Sequence, residues 1–143
     1  MIVEPTYTPV PVSTYVKATP LQRFVAAFID GIVAYVPAMI LIALSRNLGM
    51  IGYVIAIAYM LTKDALPATG GFLGGQSVGK KLMGIKAVKE DSGASLLGDY
   101  GTAITRQVPL IIPLFGIIDA LMVFSSDGKR FGDKWANTIV VKA

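Results

Sequence analysis

The sequence predicts an all-α membrane protein. Its parts are a transmembrane helical hairpin, a third apolar helical segment broken by proline and glycine, a short amphipathic surface helix and a small β-hairpin or sheet on the cytoplasmic side. Three observations carry this prediction. Hydrophobic residues make up 54% of the chain and charged ones only 15%, at a mean hydropathy of +0.64, which is too apolar for a water-soluble domain. The run from Leu21 to Leu44, LQRFVAAFIDGIVAYVPAMILIAL, is almost unbroken, and at ~1.5 Å per residue it reaches the ~30 Å of a bilayer core. Two further apolar runs follow, separated by a polar connection with strand and turn signals.

The chain divides into a flexible Pro/Thr-rich tail over residues 1–20 and a membrane domain over 21–143. The tail has no helical period and reads as extended. Pro20 suits the first turn of the first helix, expected over 21–44, and Pro37 bends it. Ser45-Arg46-Asn47 is a turn too short for anything but an antiparallel partner, expected over 48–66, with Gly49, Gly52, Ala56 and Ala58 small enough for close helix contact. Next comes a Gly-rich loop, PATGGFLGG, and then Gln76 to Met83 as a short helix lying on the membrane surface. Ile85 to Lys89 alternates as a strand, Glu90-Asp91-Ser92-Gly93 is a turn, and Ala94 to Leu97 is a return strand. Thr138 to Val141 is β-prone and is expected to pair with Ile85 to Lys89. The third apolar segment, about 100–125, contains Pro109, Pro113, Gly116 and Asp119 and either spans or re-enters. Turning back would leave Lys129, Arg130, Lys134 and Lys142 on the same side as Lys63 to Arg106, as the positive-inside rule prefers.

Composition narrows the chemistry. With no cysteine and no histidine, the sequence offers no disulfide, no thiolate nucleophile and no imidazole base or ligand. No catalytic arrangement emerges, so neither an enzyme nor a cofactor is expected. The net charge of +4 reads as cytoplasmic Lys and Arg flanking membrane segments rather than as a nucleic-acid surface. Gly74 to Lys81, GGQSVGKK, nearly matches a P-loop, but Lys81 stands where a magnesium-binding hydroxyl is needed. A flexible turn entering a basic surface helix accounts for the same residues, with Lys80 and Lys81 against anionic lipid headgroups.

Arg23 at the mouth of the first helix, Asp30 in its middle, GQSVGKKLMGIKAV in the connection, Arg106 before the third run and the tail GKRFGDKWANTIVV together resemble the RDD family, named for one arginine and two aspartates. Arg23, Asp30 and Asp133 fill those places, and the resemblance spans about Leu21 to Val141. It implies a bacterial integral membrane protein, for which transport of ions or small ligands has been suggested in some members.

Two readings of the charged residues compete. In one, Arg23, Asp30 and Asp133 form a cation or proton site, with Asp119 sharing a proton with Asp30 across the bundle. In the other they form a structural ion-pair network in which Arg23 or Arg106 neutralises Asp30, Asp133 pins the C-terminal tail, and Asp119 is a solvated acid at a helix tip. The corresponding functions are a small carrier of cations, protons or small ligands, working as an oligomer, and a non-catalytic scaffold or accessory subunit of a larger membrane complex. Either would be multi-pass in the bacterial cytoplasmic membrane with a cytoplasmic N-terminus.

Overall fold

The computed structural model describes residues 14–69, 73–112, 114–126 and 128–143. Helix α1, Pro20–Leu44, begins at a capping box: Thr19 accepts the Gln22 N–H at 3.2 Å and the Gln22 side chain accepts the Thr19 N–H at 3.0 Å. Its buried residues, Ala26, Asp30, Ala34 and Ala38, recur every fourth position and are small apart from the aspartate. Helix α2, Arg46–Thr62, lays Gly49, Gly52 and Ala56 against that stripe. A Cβ on Gly49 would collide with Ile42, and one on Gly52 with Leu41. The large apolar side chains, Phe28, Ile32, Met39 and Ile40 on α1 and Met50, Val54 and Ile55 on α2, point outward. Small residues inside and large apolar residues outside invert the arrangement of a water-soluble bundle and suit lipid as the surrounding medium.

Helix α1 is long and apolar enough to cross a membrane, and only 22% of its most apolar window is buried. Helix α2 is shorter than expected at its far end: it stops at Thr62, and Lys63, Asp64 and Ala65 turn into the interior. The third apolar segment, expected over about 100–125, is broken as its prolines and glycine predict. It splits into α4, Tyr100–Ile111, and α5, Phe115–Leu121, bent by 112° and followed by a 3-10 turn, Met122–Phe124. Proline removes the amide donor that a continuous helix requires, and this stretch carries two. Leu114 takes a left-handed φ of 64° at the corner, and Gly116 packs so close to the Leu110 carbonyl that a side chain would not fit.

Helix α3, Val78–Met83, follows Ser77, whose hydroxyl accepts the Lys80 N–H at 3.2 Å, and ends at Gly84 with φ 67°. Strand β1, Ile85–Lys89, pairs antiparallel with β2, Thr138–Lys142, as the β-prone character of both segments predicts. Residues 94–97 add one bridge, Val88 to Ser95, rather than a strand. The other edge of β2 is held by the end of the N-terminal tail, with the Lys142 N–H donating to the Val16 carbonyl at 2.7 Å and the Ala18 N–H to Val140 at 3.1 Å. The expected flexible tail is thus tied down from about Val16; its first thirteen residues, and 70–72 of the expected glycine-rich loop, lie outside the described residues.

Helix α6, Phe131–Trp135, stands before β2 as α3 stands before β1. Val78-Gly79-Lys80-Lys81 corresponds to Phe131-Gly132-Asp133-Lys134, and Gly84 to Asn137, which also takes a left-handed φ, 51°. On that alignment Ala87 corresponds to Val140, and these two are paired across the sheet. The unit therefore occurs twice, related by a local two-fold axis through the centre of the strand pair. Each copy presses its glycine against a helix backbone, Gly79 on the Ala26 carbonyl and Gly132 on the Arg106 carbonyl. We expect Gly79→Ala to lower stability by at least ~1–3 kcal/mol, because backbone rather than a flexible side chain fills the space. Gly31→Ala, with nothing within 4 Å, is the control and should be neutral or stabilising. Thermal unfolding in detergent measures both.

Candidate functional site

The buried polar residues gather where α1, the end of α2, α3, α4 and α6 meet. Asp30, fully buried on α1, accepts the Lys63 ammonium at 2.8 Å, the Gly79 N–H at 2.8 Å and the Tyr59 hydroxyl at 3.1 Å. Asp64, just past α2, accepts Lys80 at 2.5 Å, Arg106 and the Gln107 amide at 3.2 Å. The Arg106 guanidinium bridges two acids, Asp64 and Asp133, the latter at 2.6 Å, and its Nε donates to Thr138 at 3.1 Å. Asp133 also accepts Arg23 and the Arg130 N–H at 3.1 Å, while Arg23 further donates to the Gly128 carbonyl. Asp119 on α5 accepts the Gly132 N–H at 3.1 Å and Arg130 at 3.4 Å.

The repeated unit explains part of this. In each copy the glycine that allows close approach also donates its N–H to a buried aspartate, Gly79 to Asp30 and Gly132 to Asp119. A cation then completes each clamp, Lys63 in one and Arg130 in the other. Buried carboxylates at such positions are tolerable only when charge and hydrogen bonds are both satisfied.

Burial alone would raise the Asp64 carboxyl, but Lys80, Arg106 and Lys63 reverse it and hold it well below the usual carboxylate range. Asp133 is likewise held low against its burial by Arg106, Arg130 and Arg23. Lys80 is the weakly held partner: burial pushes its ammonium down to about 7, because Asp64 is shared with Arg106 and two other cations oppose it. The two directions agree physically, since one anion serves several cations. Among the described residues, no group of three or more acidic side chains stands ready for a metal.

The residues that the sequence singles out are distributed as follows. Arg23, Arg106 and Asp133 join one network. Asp30 is neutralised by Lys63, not by Arg23 or Arg106. Asp119 pairs with Arg130 and the Gly132 N–H; it is neither a solvated acid nor a partner of Asp30. Lys80 turns inward to Asp64, away from headgroups, while Lys81 is exposed. The near-match to a P-loop has its Gly79 N–H on the Asp30 carboxylate. Trp135 and Phe131 stack on Phe115, at 6.1 and 5.3 Å between ring centres. Sequence reasoning misses Lys63, Asp64, Gln107, Arg130 and Tyr59. The doubled unit gives no signal for Arg130, because the corresponding residue of the first copy is Ser77 and the first clamp takes its cation from Lys63 instead.

A comparison with family models matches residues 17–137 to the RDD family. The chain belongs to the RDD family. Neither the curated proteins nor the solved structures contain a match. The RDD family is membrane-associated, which agrees with the apolar exterior of α1, and Arg23, Asp30 and Asp133, on which the resemblance rests, are each held in an ion pair.

Removing Arg106 takes one cation from each of two buried carboxylates, leaving Asp64 to Lys80 and Asp133 to Arg23, and we expect Arg106→Leu to cost ~3 kcal/mol in detergent unfolding; a loss below ~1 kcal/mol would show the pairs to be dispensable. Lys80 gives a pH signature. With its folded value about 7 against 10.5 unfolded, the unfolded chain holds more protons between those pH values, so stability should rise with pH across that window. Lys80→Met should flatten the rise, and an unchanged slope would show that Lys80 stays charged throughout.

Proposed function

We propose that this RDD protein is a non-catalytic membrane scaffold or accessory subunit of a larger membrane complex, and that its charged residues act as an internal clasp. The observation that carries this reading is the pairing of the four acids that are fully buried among the described residues, Asp30, Asp64, Asp119 and Asp133, each faced by a cation. A carrier acid must be wet and free to titrate; a clasp must be dry and neutralised. The chain sits in the bacterial cytoplasmic membrane and is multi-pass, with its N-terminus and the connection from Lys63 to Arg106 cytoplasmic. Support for that orientation comes from Lys63, Lys80, Lys81, Lys86, Lys89 and Arg106 lying in that connection against the single Arg46 in the first turn.

A second reading is carriage of cations, protons or small ligands as an oligomer. One observation favours it: a cavity of about 90 Å³ touches Asp30, Lys63 and Arg106.

Reconstitution into liposomes divides the two. The scaffold reading expects no sodium, potassium or proton flux above that of protein-free vesicles. Flux that disappears in a folded Asp30→Asn variant would replace it with the carrier reading. For orientation, Ser92→Cys in intact cells should be shielded from an impermeant thiol reagent and Ser45→Cys labelled; the reverse pattern would invert the topology.

A further inference from the structure

The cavity beside the network is not closed. It shares Phe24, Leu110 and Ala120 with an open surface groove between α1 and the α4–α5 corner, where Ile112, Ile117 and Leu121 make the walls apolar. The cavity end is different in character. Among the described residues, five basic side chains (Arg23, Lys63, Lys80, Arg106 and Arg130) meet four carboxylates (Asp30, Asp64, Asp119 and Asp133), an excess of one positive charge while Lys80 is protonated. All five cations line the cavity. So does Gln107, whose amide nitrogen donates to Asp64 and whose Oε1 is buried without a hydrogen-bond partner. A buried acceptor left unmade is costly, so an occupant that supplies a donor is favoured.

We propose that this groove and cavity form a binding site for one singly charged anionic phospholipid with a hydroxylated headgroup, of the phosphatidylglycerol type. Its phosphate would answer the excess positive charge, its headgroup hydroxyl would donate to Gln107 Oε1, and one acyl chain would lie in the groove along Phe24, Leu110 and Ile117. The dimensions fit: about 10–15 Å³ of such space holds one water, so about 90 Å³ admits a tetrahedral oxyanion. The depth fits as well. Arg23 lies in the first turn of α1, where headgroups meet helix ends, and the groove leads from there along apolar side chains. Lys80, whose ammonium burial weakens, gains from one more negative charge nearby. Other lipid chemistries fit less well. Phosphatidylcholine brings no net charge, a fatty acid brings no donor, and inorganic phosphate leaves the groove empty. This inference goes beyond the scaffold reading and does not depend on it.

Native mass spectrometry of the full chain in an uncharged detergent tests it. With phosphatidylglycerol and phosphatidylcholine offered in equal amounts, the protein should retain the former at least about tenfold more. Phosphatidylethanol, which has the same charge but no headgroup hydroxyl, should be retained up to about tenfold less than phosphatidylglycerol. Ala120→Trp and, independently, Ile117→Trp should fill the groove and abolish retention while leaving lipid-free unfolding unchanged, since Ala120 and Ile117 are exposed. Lys81→Gln, on the outer surface, should change nothing. Equal retention of phosphatidylcholine would overturn the proposal, as would retention by folded tryptophan variants or its loss in Lys81→Gln. So would oleate or inorganic phosphate competing as well as the phospholipid, and equal retention of phosphatidylethanol would remove the hydroxyl assignment.

Discussion

Arg106 is the residue on which the packing of the domain depends. Its guanidinium is fully buried on α4 and holds Asp64, at the end of α2, and Asp133, on α6, at the same time, with a third donor on Thr138 of β2. A planar fork with fixed donors suits this bridging in a way that a lysine would not. Because Asp133 also takes Arg23 and Asp64 also takes Lys80, one arginine ties together α1, α2, α3, α4, α6 and the sheet. In lipid there is no hydrophobic drive for helices to associate, so such polar contacts and close packing must define which helix lies where.

The close packing is supplied by small residues. Ala34 and Ala38 on α1 face Gly52 and Ala56 on α2, with Gly49 against Ile42, while Ala26 receives Gly79 as the doubled glycine unit lets α3 and α6 touch helix backbones directly. The same glycines aim their N–H groups at Asp30 and Asp119, so packing and charge satisfaction are one arrangement. An internal two-fold of this kind places equivalent acids on either side of an axis through Ala87 and Val140.

Much of the fold is legible in the sequence. The start of α1 follows from Pro20, its length from the unbroken apolar run, and the β1–β2 pairing from the strand character of IKAVK and TIVV. The break of the third run follows from its prolines and Gly116. The partners within the network are not legible, because they lie far apart in sequence: Asp30 and Lys63, Asp64 and Arg106, Asp119 and Gly132. Nearness to a helix mouth suggests an arginine for Asp30; the chain instead ends α2 at Thr62, four residues short of the expected end at 66, and that turn delivers both Lys63 and Asp64 to the interior. The inward turn of Lys80 escapes notice for a related reason, since a lysine on a short helix is ordinarily solvated, and only the buried Asp64 opposite draws it in.

The account makes the buried charges a mutual support rather than a set of independent sites, and a double-mutant cycle on Asp30 and Lys63 tests this most directly. Asp30→Leu, Lys63→Leu and the double variant would be unfolded in the same detergent. If the pair is a clasp, each single change leaves a buried charge or its donors stranded, and the two effects should couple by ~1–3 kcal/mol, with the double variant more stable than the sum of the singles predicts. Effects that add within ~0.5 kcal/mol would contradict the account and leave Asp30 as an acid held by something other than Lys63.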